Sequence, residues 1–117
     1  MHELMVKSFS RPDESMDLSG HGKKETVMID GMPVELSEFE EGWRWSTDVK
    51  PIAGTDTCQA HHLGYCMEGH LRVHMDDGKD RDINAGDAFE IPPGHDAEVV
   101  GHDKVVLVDF GKAFDQK

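Results

Sequence analysis

Residues 86–100 read GDAFEIPPGHDAEVV, which sets His95 directly behind Pro92, Pro93 and Gly94. Prolines fix φ and glycine permits a tight turn, so His95 is held more firmly than an ordinary loop residue. An imidazole fixed in this way suits metal ligation, proton transfer or a plain hydrogen-bonding role. On a strand Ala97 shares the face of His95, while Asp96 points the other way and suits bonding to backbone N–H groups of the turn. A second concentration of reactive types lies upstream at Asp56, Cys58, His61 and His62. Of two adjacent strand histidines only one faces inward; His61 is expected to point outward. A cysteine in a strand is usually a small buried hydrophobe, the expectation for Cys66 and the competing one for Cys58. Eight histidines in 117 residues make chance proximity common. His70 and His74 share a face with Arg72, read as solvated; His102 sits in a surface turn, and His2 and His21 in mobile segments.

Other chemistries fail on spacing. GKKET at 22–26 is not a phosphate-binding loop, and no serine stands in G-x-S-x-G. Asp76-Asp77-Gly78 lacks the ligand spacing of a calcium loop and reads better as a hairpin turn. The two cysteines form no C-x-x-C pair.

The elements that must position these residues read as strands. In HLRVHM, Leu71, Val73 and Met75 alternate with His70, Arg72 and His74, and Asp77-Gly78 then turns the chain back through 79–83. Residues 84–87 form another turn before a strand at 88–91, and 105–108 read as a buried strand. ETVMI and MPVEL flank Asp30-Gly31 as a further hairpin. Trp43 and Trp45 mark a strand with both rings on one side. The best helix candidate, 12–19, is short and polar. Short strands at near-regular intervals predict an all-β sandwich or barrel.

Composition bounds the rest. A chain of 117 residues fits one domain that folds without disulfides or metal. Its net charge of −12 argues against nucleic acid and anionic membrane as partners. No apolar run approaches a membrane span, and MHELMVKSFS lacks the pattern of a secretory signal, so a cytoplasmic setting is expected.

GDAFEIPPG, together with GYCMEGHLRV at 64–73, resembles the cupin family across roughly residues 40–110. The resemblance implies a double-stranded β-helix (a jelly-roll barrel), a pocket in its mouth that commonly holds a divalent metal, and a homodimer. It divides the chain into an extended N-terminal segment at 1–39 (strands and a surface-wrapping arm), a barrel at 40–112 and a tail at 113–117. The family's ligand positions are all altered. Counted back from Tyr65, its glutamate falls on His62 and its paired histidines on Asp56 and Cys58; its last histidine falls on Ala97, with His95 two residues earlier.

The resemblance therefore points to a pocket of His62, His95, Trp43, Trp45 and Tyr65, with one tryptophan expected at the pocket edge and the other in packing. His62, His95, Cys58 and Asp56 are candidate ligands for zinc, iron or nickel, provided 56–62 is one unbroken strand. Two functions are weighed. One is a small-molecule-binding cupin, such as a sensor or accessory protein. The other is a metal-dependent enzyme, an oxygenase or isomerase, with a rearranged site. An enzyme needs three or more of these ligands to converge, a binding module needs only an apolar, partly polar-lined cavity, and a third possibility, a barrel serving mainly as a dimerising interaction scaffold, needs neither.

Overall fold

A computed structural model describes residues 3–112; His2 and the tail at 113–117 lie outside the described residues. The protein is all-β and folds as a double-stranded β-helix, the architecture expected from the turns. Among the described residues nine strands run in chain order as β1 (Glu14–Asp17), β2 (Gly22–Ile29), β3 (Met32–Phe39), β4 (His62–Glu68), β5 (His70–Met75), β6 (Asp80–Asn84), β7 (Ala88–Ile91), β8 (His95–Val99) and β9 (Val105–Asp109). Between β3 and β4 lie two single-turn helices, α1 (Trp45–Asp48) and α2 (Lys50–Ala53). One antiparallel sheet has the order β1-β2-β3-β9-β4-β7 and the other β6-β5-β8. No helix among the described residues is long and apolar enough to cross a membrane.

The hairpins sit where their turn residues put them. Asp30 and Gly31 both have positive φ, 51° and 76°, the two-residue geometry whose twist matches the flanking strands. Gly78 N–H donates to Met75 O and closes the β5–β6 turn. The core lies between the sheets, and Leu71, Val105 and Cys66 are its most completely buried side chains. Cys66 is thus a packing residue, as its strand position suggests.

Three local expectations need correcting. The 12–19 stretch is a strand, not a helix: Glu14–Asp17 pair with Lys23–Thr26 of β2, and that pairing outweighs an acidic helix start too short to hold itself. Neither tryptophan lies on a strand: Trp43 precedes a lone bridge at Arg44, and Trp45 opens α1. Asp96 Oδ1 does accept backbone N–H groups as expected, those of Ser46 and Ala97, and thereby also pins the entry of α1. His21 is anchored, because its Nδ1 bonds the buried Asp48 carboxylate at 2.8 Å.

The outer face of the three-stranded sheet carries a ladder of charges, as the alternation in β5 requires. Arg72 grips Asp82 through two nitrogens at 2.8 and 3.2 Å. His74 bonds Glu98 at 2.6 Å and Asp80 at 2.9 Å, and these two carboxylates raise its imidazole above the ordinary histidine value. A histidine raised by folding stabilises the fold fully below its unfolded pKa, and that contribution fades as pH climbs through the folded value. The stability advantage of the parent over His74→Gln should therefore be largest below about pH 6 and shrink as pH rises above the ordinary histidine range. Urea midpoints across that range measure it; an advantage that grew with pH would contradict the ion-pair account.

Candidate metal centre and cavity

Three backbone devices assemble the site. His62 opens β4, and the alternation His62, Gly64, Cys66 faces the interior. Gly64 lies opposite Asp109 of β9, and a Cβ at Gly64 would run into the Val108 carbonyl and the Phe89 ring. Gly94 ends the Pro-Pro-Gly turn at φ +93°, and a Cβ there would lie 2.8 Å from Asp76 Oδ2. The turn thus delivers His95, only 3% exposed, to the start of β8. Cys58 lies in irregular chain before β4 but is clamped to the turn. Its N–H donates to His95 O and its carbonyl accepts from Gly94 N–H, both at 2.7 Å.

As a result Cys58, His62 and His95 each offer a ligand atom within 4.8 Å of the other two. Cys58 Sγ is 3.7 Å from His62 Nε2, close to the roughly 3.5 Å that two such ligands keep on a tetrahedral zinc ion. The outer nitrogens are already engaged. His62 Nδ1–H donates to Asp109 Oδ2 at 2.5 Å, and His95 Nδ1–H donates to the Pro92 carbonyl at 2.8 Å. Both acceptors fix the ring orientation and leave Nε2 for the centre, the usual support behind metal-bound histidines. Leu63 and Gly111 N–H groups donate to Asp109 Oδ1 in turn.

The electrostatics follow from that chain of contacts. Burial pushes the Cys58 thiol up, but hydrogen bonds with His62 and then His95 outweigh it and bring it down to about 6. Burial disfavours the His62 imidazolium, yet the Asp109 carboxylate and then the Cys58 sulfur raise it to about 9. Asp109 stays below its ordinary value, because the His62 bond overcomes its own burial. Near neutral pH the residues form a thiolate, an imidazolium and a carboxylate in line. Such an array is the orientation of a nucleophilic cysteine, and it becomes a metal-ligand set once the His62 imidazolium gives up its Nε2 proton.

The centre opens on a cavity of about 420 Å³. Its walls are mainly apolar, with Phe39, Trp43, Trp45, Leu71, Phe89 and Ile91 among them. Trp43 stacks on Phe39 at 3.9 Å between ring centroids. Both tryptophans are buried and both line the cavity, so neither is restricted to packing elsewhere.

His62, His95 and Cys58 thus converge as candidate ligands; Asp56 and Tyr65 do not. Asp56 has a fully exposed side chain and lies near Lys50, at 3.5 Å. The 56–62 stretch is not one strand, so parity counted from His62 does not extend to it. Tyr65 is 47% exposed and outside the cavity wall. It stands an odd number of residues from His62 on the same strand, so the two face opposite sides. His61 bonds the exposed Glu90 at 3.0 Å, yet its residue also contributes to the cavity wall. Asp109 was missed. Its signal is the alternation Val105, Leu107, Asp109, which ends an inward-facing apolar row on a carboxylate.

No protein-family model matches the chain, and no curated protein matches it. Solved structures do. KdgF from Halomonas sp. is 22% identical over 85% of this chain and 86% of that one, with a TM-score of 0.58. An RmlC-like cupin from Shewanella frigidimarina is 20% identical over the whole of both chains, also at 0.58. Ectoine synthase from P. lautus is 15% identical over 92% of this chain and 78% of that one, at 0.64. At such identities the likeness is one of fold, and together with the two sheets and their turns it establishes that this chain has the cupin fold.

Proposed function

We propose that this protein binds a small, mainly apolar molecule in its cavity, beside a transition-metal centre held by Cys58, His62 and His95. The observation that carries the reading is the convergence of three ligand atoms with both histidines oriented from behind, at the wall of a cavity of ligand size. One thiolate and two imidazoles would suit zinc, and also iron or nickel, and three protein ligands are one fewer than a closed tetrahedral site takes. A metal held there would supply Lewis-acid polarisation of a bound oxygen or nitrogen. The protein's own groups do the rest. Asp109 holds the His62 ring, the Pro92 carbonyl holds His95, and the aromatic walls exclude water and orient the ligand body. Ligation requires the proton between Cys58 Sγ and His62 Nε2 to leave, with the Nδ1 proton staying on the Asp109 side.

A binding role, as a sensor or accessory protein, needs only this much. Three ligands and an open position equally support the second reading, a metal-dependent oxygenase or isomerase. Elemental analysis after incubation with zinc, iron(II) or nickel and desalting tests the centre. About one equivalent is expected in the parent and well under a tenth in Cys58→Ala or His95→Ala. A parent that retains no metal would sink the reading.

A further inference from the structure

The polar groups of the cavity away from Cys58 form a second cluster. Glu35, on β3, is 5% exposed and lies between two ammonium groups, Lys24 Nζ at 3.3 Å and Lys112 Nζ at 3.2 Å. All three residues contribute to the cavity wall. One buried carboxylate shared by two lysines leaves a positive charge uncompensated within the cluster. The imbalance persists when the whole cavity is counted. With the proposed divalent ion in place, it and the two lysines stand against the Cys58 thiolate, Asp109 and Glu35, and one net positive charge remains. Lys24 keeps about a quarter of its side chain exposed and Lys112 about half, so the excess charge sits on accessible ammonium groups at the cavity wall, and the local potential favours an anion beside them. The buried Nε1–H of Trp43, another cavity-lining side chain, is a donor with no hydrogen-bond partner among the described residues.

We infer that the cavity takes an organic monocarboxylate with an apolar body, its carboxylate at Lys24 and Lys112 and its body against the aromatic wall. The charge count rests on the metal reading above; the lysine cluster and the Trp43 donor do not. The protein's overall charge of −12 would repel such an anion, so selection depends on these local cations.

Tryptophan fluorescence titrations with 3-phenylpropanoate and its neutral counterpart 3-phenylpropanamide test it, on zinc-loaded and zinc-free protein with metal content measured on each sample. The acid should bind about tenfold or more tightly than the amide, as expected for a charge-assisted contact. Lys112→Met, which leaves Glu35 its Lys24 partner, should reduce that preference several-fold. Glu35→Gln, which removes the competing carboxylate, should increase it, and neither variant should lose zinc. Equal binding of acid and amide, or no binding of either, overturns the proposal. So does a preference unchanged in both variants, which would place the carboxylate on the metal instead. A Lys112-dependent preference in protein that takes up no zinc would leave the carboxylate site standing while the metal reading fell.

Discussion

Replacing His62 with alanine is expected to lower metal content from about one equivalent to near zero and to destabilise the metal-free fold as well. The two effects have separate causes. Metal is lost because Cys58 and His95 alone supply two ligands, short of the three a centre with an open position needs. The metal-free fold suffers because Asp109, 8% exposed, would lose the partner that compensates its charge and keep only the Leu63 and Gly111 N–H donors. Removing one member of a buried pair costs about 3–5 kcal/mol; His62 keeps a quarter of its side chain exposed, so about 2–3 kcal/mol is the expectation. The double variant His62→Ala, Asp109→Asn should recover part of that stability and none of the metal. Stability comes from urea unfolding and metal from elemental analysis. In the parent, zinc at a thousandfold over its dissociation constant should add about 4 kcal/mol, and in His62→Ala almost nothing. A variant as stable as the parent without metal would show that Asp109 does not depend on His62.

The second large effect concerns packing alone. Leu71, 2% exposed, lies on β5 between Ile83 and Val99 of the flanking strands and also forms part of the cavity wall. Leu71→Ala removes buried methyl groups where two hydrogen-bonded neighbours hold the backbone, so little collapse can follow. A loss of about 2–5 kcal/mol is expected, lowering the thermal midpoint by roughly 4 °C for each kcal/mol. Metal content should not change, since the hydrogen bonds that position the centre run through Cys58, Gly94, His95, His62 and Asp109 and none involves the Leu71 side chain. Calorimetry with elemental analysis on one sample separates the two. Loss of metal together with stability would mean that the centre is not positioned independently of this part of the core.

Much of this architecture is written in local chemistry. Asp30-Gly31, Asp77-Gly78 and the turn at 84–87 dictate reversals through their own backbone preferences, and the alternation in HLRVHM decides which face of β5 is wet. His95 behind Pro-Pro-Gly was legible as a site residue for the same reason: prolines and glycine act within a few residues of themselves. Even the exclusion of Tyr65 from the cavity was available, because strand parity sets it opposite His62. Local chemistry misled at 12–19, where an acidic, helix-like start was overruled by pairing with β2.

What sequence could not decide is what depends on distant segments meeting. Parity from a supposed strand joined Asp56 to Cys58, whereas the real constraint on Cys58 is its backbone clamp to Gly94 and His95, nearly forty residues away. Asp109 reaches His62 only because β9 inserts between β3 and β4, and Lys24 and Lys112 share Glu35 only because β2 and the end of β9 flank β3. By itself, then, the sequence determined most of the barrel's strands, its hairpin turns and a firmly held His95, since these follow from forces acting over a few residues. The ligand triad, its carboxylate support and the charge of the cavity were decided by tertiary structure alone. They arise from contacts between strands far apart in the chain, whose pairing and register no short stretch of residues encodes.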